Sequence, residues 1–162
     1  MQPVTILQLL ALLAVANGTP VIAKRLLGKR FAWPLDAGAN FFDRRPIFGA
    51  SKTIRGVLLA LLATSLAAAL IGLGWHIGLL VGACAMAGDL LSSFLKRRLG
   101  RLPSSRALGL DQIPESLLPM LACRSLLDLD WSDIALGTVL FLVGEILVSR
   151  WLYRLRFRNQ PY

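Results

Sequence analysis

The sequence predicts an all-α integral membrane protein of about five transmembrane helices, and three observations support this. Of its 162 residues, 56% are hydrophobic, yet the formal net charge is +9. Soluble domains are about 45–50% apolar, so a mean hydropathy of +0.63 favours membrane spans with basic residues at their flanks. The apolar residues also form five separate runs within a length that allows a single domain, 1–162.

Each apolar run is a predicted span. The runs cover about residues 4–23, 54–73, 77–95, 113–127 and 134–152. Runs of about 20 residues match the hydrocarbon core of a bilayer, because a helix rises about 1.5 Å per residue. The fourth run is short and is interrupted by Glu115, Pro119 and Arg124. No basic residue precedes the first run, so we expect a retained helix there and not a cleaved signal peptide.

The distribution of Lys and Arg predicts the orientation. These residues are concentrated in two long connections, 24–55 and 96–106, and in the C-terminal tail, whereas residues 74–76 and 128–133 contain none. The positive-inside rule therefore places both basic loops and the C-terminus in the cytoplasm of a multi-pass protein of the cell (inner) membrane, with the N-terminus outside. About half of these cations need no role beyond topology and attraction to anionic lipids. This interpretation applies above all to Lys24, Arg25, Lys29, Arg30 and the arginines of the tail.

The third predicted span carries polar groups on one helix face. They recur at i, i+3, i+4, i+7 and i+8, and they are Asp89, Ser92, Ser93, Lys96 and Arg97. Small residues continue this face, which favours contact with protein instead of lipid. These small residues are Gly78, Gly82 and Ala85. An ionisable residue inside a span costs about 2.5–3.5 kcal/mol on insertion scales, so Asp89 is a candidate functional residue.

Magnesium and phosphate are the ligands that this face suits best. Mg²⁺ takes oxygen ligands and shares them with substrate phosphates, and Asp111, across the following loop, is a second candidate carboxylate. The alternative role for Asp89 is a structural ion pair with Lys96 or Arg97. Lys96 lies two helical turns away, about 10 Å along the axis, which is too far for a relaxed ion pair.

The first basic loop offers a matching set of groups. Residues 34–38 read Pro-Leu-Asp-Ala-Gly, a turn that contains an acid. Gly49, Lys52 and Thr53 superficially resemble a phosphate-binding loop, but they lack its spacing and a preceding strand. As donors at the start of the second span, where backbone N–H groups and the helix dipole attract anions, they are credible.

These motifs resemble those of the CDP-archaeol synthase family, integral membrane cytidylyltransferases distantly related to CDP-diacylglycerol synthases. The matching segments are GDLLSSFLKRRLG at 88–100, LDQ at 110–112, PLDAG at 34–38 and FFDRRPIFGASKTIRG at 41–56. The resemblance extends from about residue 16 to 112. It implies a Mg²⁺-dependent transfer of CMP from CTP to a lipid phosphate in the bilayer, which yields a CDP-lipid and pyrophosphate. It implies no nucleic-acid partner, and it leaves the oligomeric state open, with a homodimer as one option.

The resemblance also assigns roles to residues. Asp89 and Asp111 would hold the metal, and together with Lys52 and Lys96 they form the predicted catalytic set. The predicted substrate-binding residues are Asp36, Asp43, Arg45, Ser51, Thr53, Arg55, Ser92, Ser93, Arg97 and Gln112.

The chain departs from the family pattern near the predicted lipid site. It reads DAG and FDRRP where the family tends toward DGG and FDGRR, and Ile-Pro-Glu-Ser follows Gln112. The lipid therefore stays open between archaetidic and phosphatidic acid-like phosphates, as do the linkage, the stereochemistry and the host. Two other classes compete with an enzyme: a small transporter or flippase, and a non-catalytic protein that binds anionic lipid. The first lacks paired broken spans, and the second leaves two aspartates among the cations unexplained.

Overall fold

A computed structural model describes residues 1–102, 105 and 107–154, with side chains up to residue 148. Arg106 and the tail beyond Arg154 lie outside the described residues. In the described part the regular secondary structure is helical, apart from isolated bridges between extended residues in the first loop, and this confirms the predicted fold class. The helices are α1 (Pro3–Leu27), α2 (Ile54–Leu70), α3 (Trp75–Arg98), α4 (Gln112–Cys123) and α5 (Trp131–Arg154).

Helix length separates these elements into two groups. By length and composition, α1, α3 and the segment Trp131–Val148 of α5 are able to cross a membrane, whereas α2 is apolar but has 17 residues. Helix α4 has 12 residues and ends before the apolar run does. Arg124 therefore lies in the connection between α4 and α5, where we expected no basic residue, and its guanidinium stacks over the Trp131 ring at 4.1 Å.

The helices run up and down, so that both basic loops meet at one end of the bundle, here called the loop end. At the opposite end, the backbone N–H of Gln2 donates to Asp133 at the start of α5, at 3.1 Å. At the loop end, the Arg55 guanidinium at the start of α2 donates to backbone carbonyls just after α1, including that of Gly28 at 3.3 Å. Sequential helices are therefore antiparallel neighbours.

Small residues determine how α2 packs. Its inner face consists of four buried residues spaced four positions apart, namely Gly56, Ala60, Thr64 and Ala68. The outward stripe, which is 55–78% exposed, comprises Leu58, Leu62, Leu66 and Leu70. Gly78 of α3 lies so close to Thr64 and Ala68 that a Cβ atom there would overlap them. Small residues let membrane helices approach closely, while the leucine stripe is suited to lipid.

The polar face of α3 is buried against protein, as its small residues predicted. Ser92, Ser93, Lys96 and Arg97 are 0–7% exposed. Gly88 lies against the backbone of Pro114 in α4, and a Cβ atom there would overlap the Pro114 carbonyl. This close antiparallel contact puts the first turns of α4 beside the last turns of α3.

Candidate active site

A cavity of about 190 Å³ lies between α1, α2 and α3 at the loop end. Its basic lining residues are Lys24, Lys29, Lys52 and Arg55, and its acidic lining residue is Asp89. Apolar groups line it too, among them Pro20, Val57, Met86 and Leu90. Asp89 precedes the last residue of α3 by nine positions, which is about 14 Å along the helix axis. The cavity therefore brings cations and a carboxylate together within the depth of the bundle.

An ion pair crosses this cavity. The Lys52 ammonium lies 2.5 Å from both carboxylate oxygens of Asp89, and the two side chains are 21% and 23% exposed. The pair joins the first loop to α3 across 37 positions of sequence. Two predicted catalytic residues are thus brought together, and Asp89 has a structural partner different from those we considered.

Asp89 also belongs to a buried polar group that includes other helices. Glu115 of α4 is close enough to Asp89 to interact with it electrostatically, and Lys52 and Glu145 also act on Glu115. The Asn17 amide of α1 donates to the Glu115 carboxylate at 2.9 Å. Sequence reasoning noted Glu115 only as an interruption of the fourth span, although an acid at that depth was the available signal.

The second loop folds back onto the end of α3. The Lys96 ammonium lies 2.7 Å from the Asp111 carboxylate and also donates to the Ser105 carbonyl at 2.9 Å. Asp111 accepts the Ala107 backbone N–H at 2.9 Å. Lys96 and Asp111 are therefore adjacent, as a shared site requires, but they neutralise each other in a pair separate from that of Lys52 and Asp89.

Arg97 has hydrogen-bond donors that the described residues leave unused. Its Nη2 donates to the Leu102 carbonyl at 2.7 Å, whereas its buried Nε and Nη1 atoms have no hydrogen-bond partner among the described residues. Such donors are suited to an anion. The neighbouring Ser92 hydroxyl donates to the Gly88 carbonyl at 2.8 Å, and Gln112 accepts the Gly109 N–H at 2.8 Å. Ser93 is buried nearby.

The first loop is fixed to the end of α3 by charged groups. Asp43 pairs with Arg98 at 2.5 Å, and the Arg45 guanidinium donates to the last carbonyls of α3, including that of Arg98 at 2.7 Å. The Arg98 guanidinium also stacks on Phe41 and Phe94 at 4.8 and 4.9 Å. Cations at a helix C-terminus are favourable. In this structure Asp43 and Arg45 therefore hold the first loop against the end of α3.

Asp36 organises the backbone of the first loop. Its carboxylate accepts backbone N–H groups from Gly38 at 3.1 Å and from Phe48 and Gly49 at 2.9 Å. Burial raises the pKa of this carboxyl, but these hydrogen bonds outweigh burial and hold the pKa below its usual value. The predicted substrate-binding acid thus has a clear structural task.

The start of α2 uses most of its backbone donors internally. The Thr53 hydroxyl accepts the Gly56 N–H at 3.2 Å, and the Ile54 N–H donates to the Trp33 carbonyl at 3.1 Å. The backbone N–H groups that we expected to attract an anion here are therefore mostly used within the protein, and the cations beside them in the cavity are Lys52 and Arg55. Ser51 and Thr53 also line the cavity.

The carboxylate at Asp89 fits a magnesium ion. Within the described residues, no three His, Cys, Asp or Glu side chains form a metal-holding group. Mg²⁺ needs only one or two protein carboxylates, because phosphates and water supply the rest, and Asp89 opens onto a cavity that can hold them. At Asp89, metal binding requires that the Lys52 ammonium leave the carboxylate. At Asp111, metal binding competes with Lys96 and with the Ala107 N–H.

Comparison with known proteins assigns the family. A family model described as CarS-like, CDP-archaeol synthase, matches residues 5–162. The chain belongs to the CDP-archaeol synthase family. The predicted resemblance is confirmed, and with it the prediction of an enzyme, a CTP-dependent lipid cytidylyltransferase.

Individual members of the CDP-archaeol synthase family match along nearly the whole chain. The CDP-archaeol synthase of Pyrobaculum calidifontis is 34% identical over 153 residues, 91% of each chain. That of Sulfurisphaera tokodaii is 32% identical over 154 residues, covering 91% of this chain and 89% of the relative. A solved structure, described as an intramembrane enzyme for archaeal membrane lipids biosynthesis, superposes with a TM-score of 0.69 at 27% identity. It covers 85% of this chain and 90% of its own, so the chain is a multi-pass membrane protein.

Proposed function

We propose that this enzyme joins the cytidylyl group of CTP to a membrane lipid phosphate in a Mg²⁺-dependent reaction that releases pyrophosphate. The observation that carries the proposal is the cavity that Lys24, Lys29, Lys52 and Arg55 line together with the Asp89 carboxylate. The cations are suited to bind the triphosphate of CTP and the phosphate of the lipid, and the carboxylate is suited to bind a metal ion. Because the relatives are CDP-archaeol synthases, an archaeal diether lipid phosphate is the first candidate substrate.

The chemistry follows from the charges of the reactants. An oxygen of the lipid phosphate attacks the α-phosphorus of CTP in line, the bond to the β-phosphate oxygen breaks, and pyrophosphate leaves. Since the nucleophile is already an anion, the protein need not supply a strong base. Its contribution is to hold two anions together and to neutralise the charge that develops on the leaving group.

The residues of the cavity and of the second loop divide this work. Lys52 and Arg55 bind phosphate oxygens. Lys52 leaves its ion pair with Asp89 and contacts the nucleotide when CTP binds. Arg97, whose Nε and Nη1 atoms have no partner among the described residues, donates to a further phosphate oxygen. Asp89 would hold Mg²⁺, which when bound neutralises triphosphate charge, and Asp111 is the predicted second ligand.

The orientation follows from the same arrangement. CTP is a cytoplasmic solute, so we propose that the loop end faces the cytoplasm of the cell membrane, with the N-terminus outside. The many basic residues of the two loops agree with this orientation. At the opposite end of the bundle, the connections between described helices contain one basic residue, Arg124.

A purified-protein assay tests the proposal. Pyrophosphate release and formation of the CDP-lipid are followed with CTP and a panel of diether and diacyl glycerol phosphates, across a Mg²⁺ titration and with EDTA. We expect activity on at least one lipid, preference for CTP over ATP and GTP, and no activity in EDTA. Absence of a CDP-lipid with every lipid phosphate in the panel would contradict the proposed reaction, and full activity in EDTA would contradict the metal.

A further inference from the structure

Two lysines of the cavity are not committed to any partner in the described part of the chain. Lys52 is paired with Asp89, and Arg55 donates to backbone carbonyls after α1. Lys24 and Lys29 line the same cavity, yet their ammonium groups make no ion pair or hydrogen bond with the described residues. Two uncommitted cations on one wall of a cavity can receive an anion without breaking a protein contact.

That wall is also a surface suited to lipid. Lys24 follows Pro20 by one helical repeat of four on the cavity side of α1. Between and beyond them, Val21, Ile22 and Leu26 are 52%, 59% and 77% exposed. Since α1 is apolar enough to cross a membrane, these exposed side chains are suited to the bilayer, while Lys24 lines the cavity.

The rim beyond α1 has the same character. Ala32 lines the cavity, and its neighbours Phe31 and Trp33 are 66% and 69% exposed. Exposed aromatic residues, tryptophan above all, are typical of the membrane interface, where headgroups lie. Lys29 lies three residues before Ala32 on this rim. A lipid headgroup can therefore reach Lys24 and Lys29 from the side, while its chains stay in the bilayer.

We infer that Lys24 and Lys29 bind the phosphate of the lipid substrate, and that the nucleotide takes the side of the cavity formed by Lys52 and Asp89. The inference rests on the proposed function, and it assigns each of the two substrates to one side of the cavity. A phosphate monoester carries a charge of about −1.5 to −2 at neutral pH, which two ammonium groups match. The sequence alone had assigned both lysines to topology.

Steady-state kinetics with each substrate varied in turn test this assignment. Lys24→Gln and Lys29→Gln should each raise the KM for the lipid phosphate about tenfold, the effect of losing one hydrogen bond to a charged group. The KM for CTP should change less than twofold. Lys24→Arg and Lys29→Arg, which keep the charge, should stay near wild type. In the absence of CTP, lipid phosphate should raise the melting temperature of the wild type but not that of the double Gln variant.

Arg30→Gln is the matched control, because it removes one positive charge next to Lys29 from a side chain that does not line the cavity. If Arg30→Gln raised the lipid KM as much, general attraction to anionic micelles would explain the effect and the inference would be wrong. A raised KM for CTP in place of that for the lipid would assign the lysines to the nucleotide and also overturn it. An active wild type with unaffected Gln variants refutes only this inference, whereas an inactive wild type refutes the proposed function.

Discussion

Replacing Asp89 and Asp111 by asparagine, one at a time, should produce different kinds of damage. The sequence treats these carboxylates alike, but the structure puts them in unlike ion pairs. Asp89 and Lys52 are 23% and 21% exposed on the cavity, whereas Asp111 and Lys96 are 15% and 9% exposed. The loss of stability on removing the aspartate depends on the exposure of its lysine partner, because a buried ammonium group cannot be solvated in place of the lost ion pair.

The expected magnitudes follow from this contrast. In Asp89→Asn, Lys52 keeps access to the cavity, so the loss in stability should stay near 1 kcal/mol. The loss of a metal-binding carboxylate should lower the rate about a thousandfold, equivalent to about 4 kcal/mol in the transition state. In Asp111→Asn, the Lys96 ammonium keeps the Ser105 carbonyl but loses its counter-ion, which should cost about 3 kcal/mol of stability.

Two measurements on the same preparations decide between these outcomes: the melting temperature in detergent and the initial rate across a Mg²⁺ titration. The double variant Asp111→Asn/Lys96→Met should recover stability, because it removes the unpaired ammonium. A well-folded Asp89→Asn enzyme with full activity would refute the catalytic role of Asp89. Normal activity per folded molecule in Asp111→Asn would show that the prediction of Asp111 as a metal ligand is wrong.

Three further predictions concern packing, loop stability and topology. Gly88→Ala should lower the stability by about 1–3 kcal/mol, because its Cβ would overlap the Pro114 backbone. Gly18→Ala is the control and should fold normally, because a Cβ atom there meets no atom within 4 Å. Thermal melts of the two variants test this prediction. Asp36→Asn should destabilise the enzyme at neutral pH, because backbone N–H groups lose a charged acceptor. Because the pKa of Asp36 is lowered in the folded state, the ionised carboxylate stabilises the fold above its unfolded pKa, about 3.9. This stabilisation is lost as the pH falls through the folded pKa, so the difference in melting temperature between wild type and Asp36→Asn should become smaller below pH 4. A reporter fused after Tyr162 should read cytoplasmic and one at Asp130 external; a cytoplasmic signal at Asp130 would contradict the orientation.

Local spacing was enough to predict the fold and the polar face of α3. Apolar runs report helices directly, and the i, i+3, i+4 pattern from Asp89 to Arg97 requires only that the segment be helical. The small residues Gly78 and Gly82 likewise indicated which side faces protein. Each of these features depends on residues within one helix, whose geometry is fixed, and therefore needs no knowledge of the neighbours.

Pairings across the bundle could not be predicted in this way. Asp89 finds Lys52 at a separation of 37 residues and Glu115 on another helix, and no periodicity reports which loop folds over which helix. Lys24 and Lys29 were assigned to topology because a charge next to a span has that role in any membrane protein. Their place in the cavity depends on how α1 packs against α2, which is a property of tertiary structure.

The unequal lengths of the helices have a consequence for the bilayer itself. At about 1.5 Å per residue, α4 spans about 18 Å and α2 about 26 Å, whereas a hydrocarbon core is about 30 Å thick. Helices α1 and α3 exceed that thickness. A membrane that fits a short helix must thin beside that helix, at a modest cost per ångström. Helix α2 lines the cavity that contains Asp89, so thinning beside α2 would bring headgroups closer to the depth of that cavity, and we expect the rate of the reaction to depend on membrane thickness.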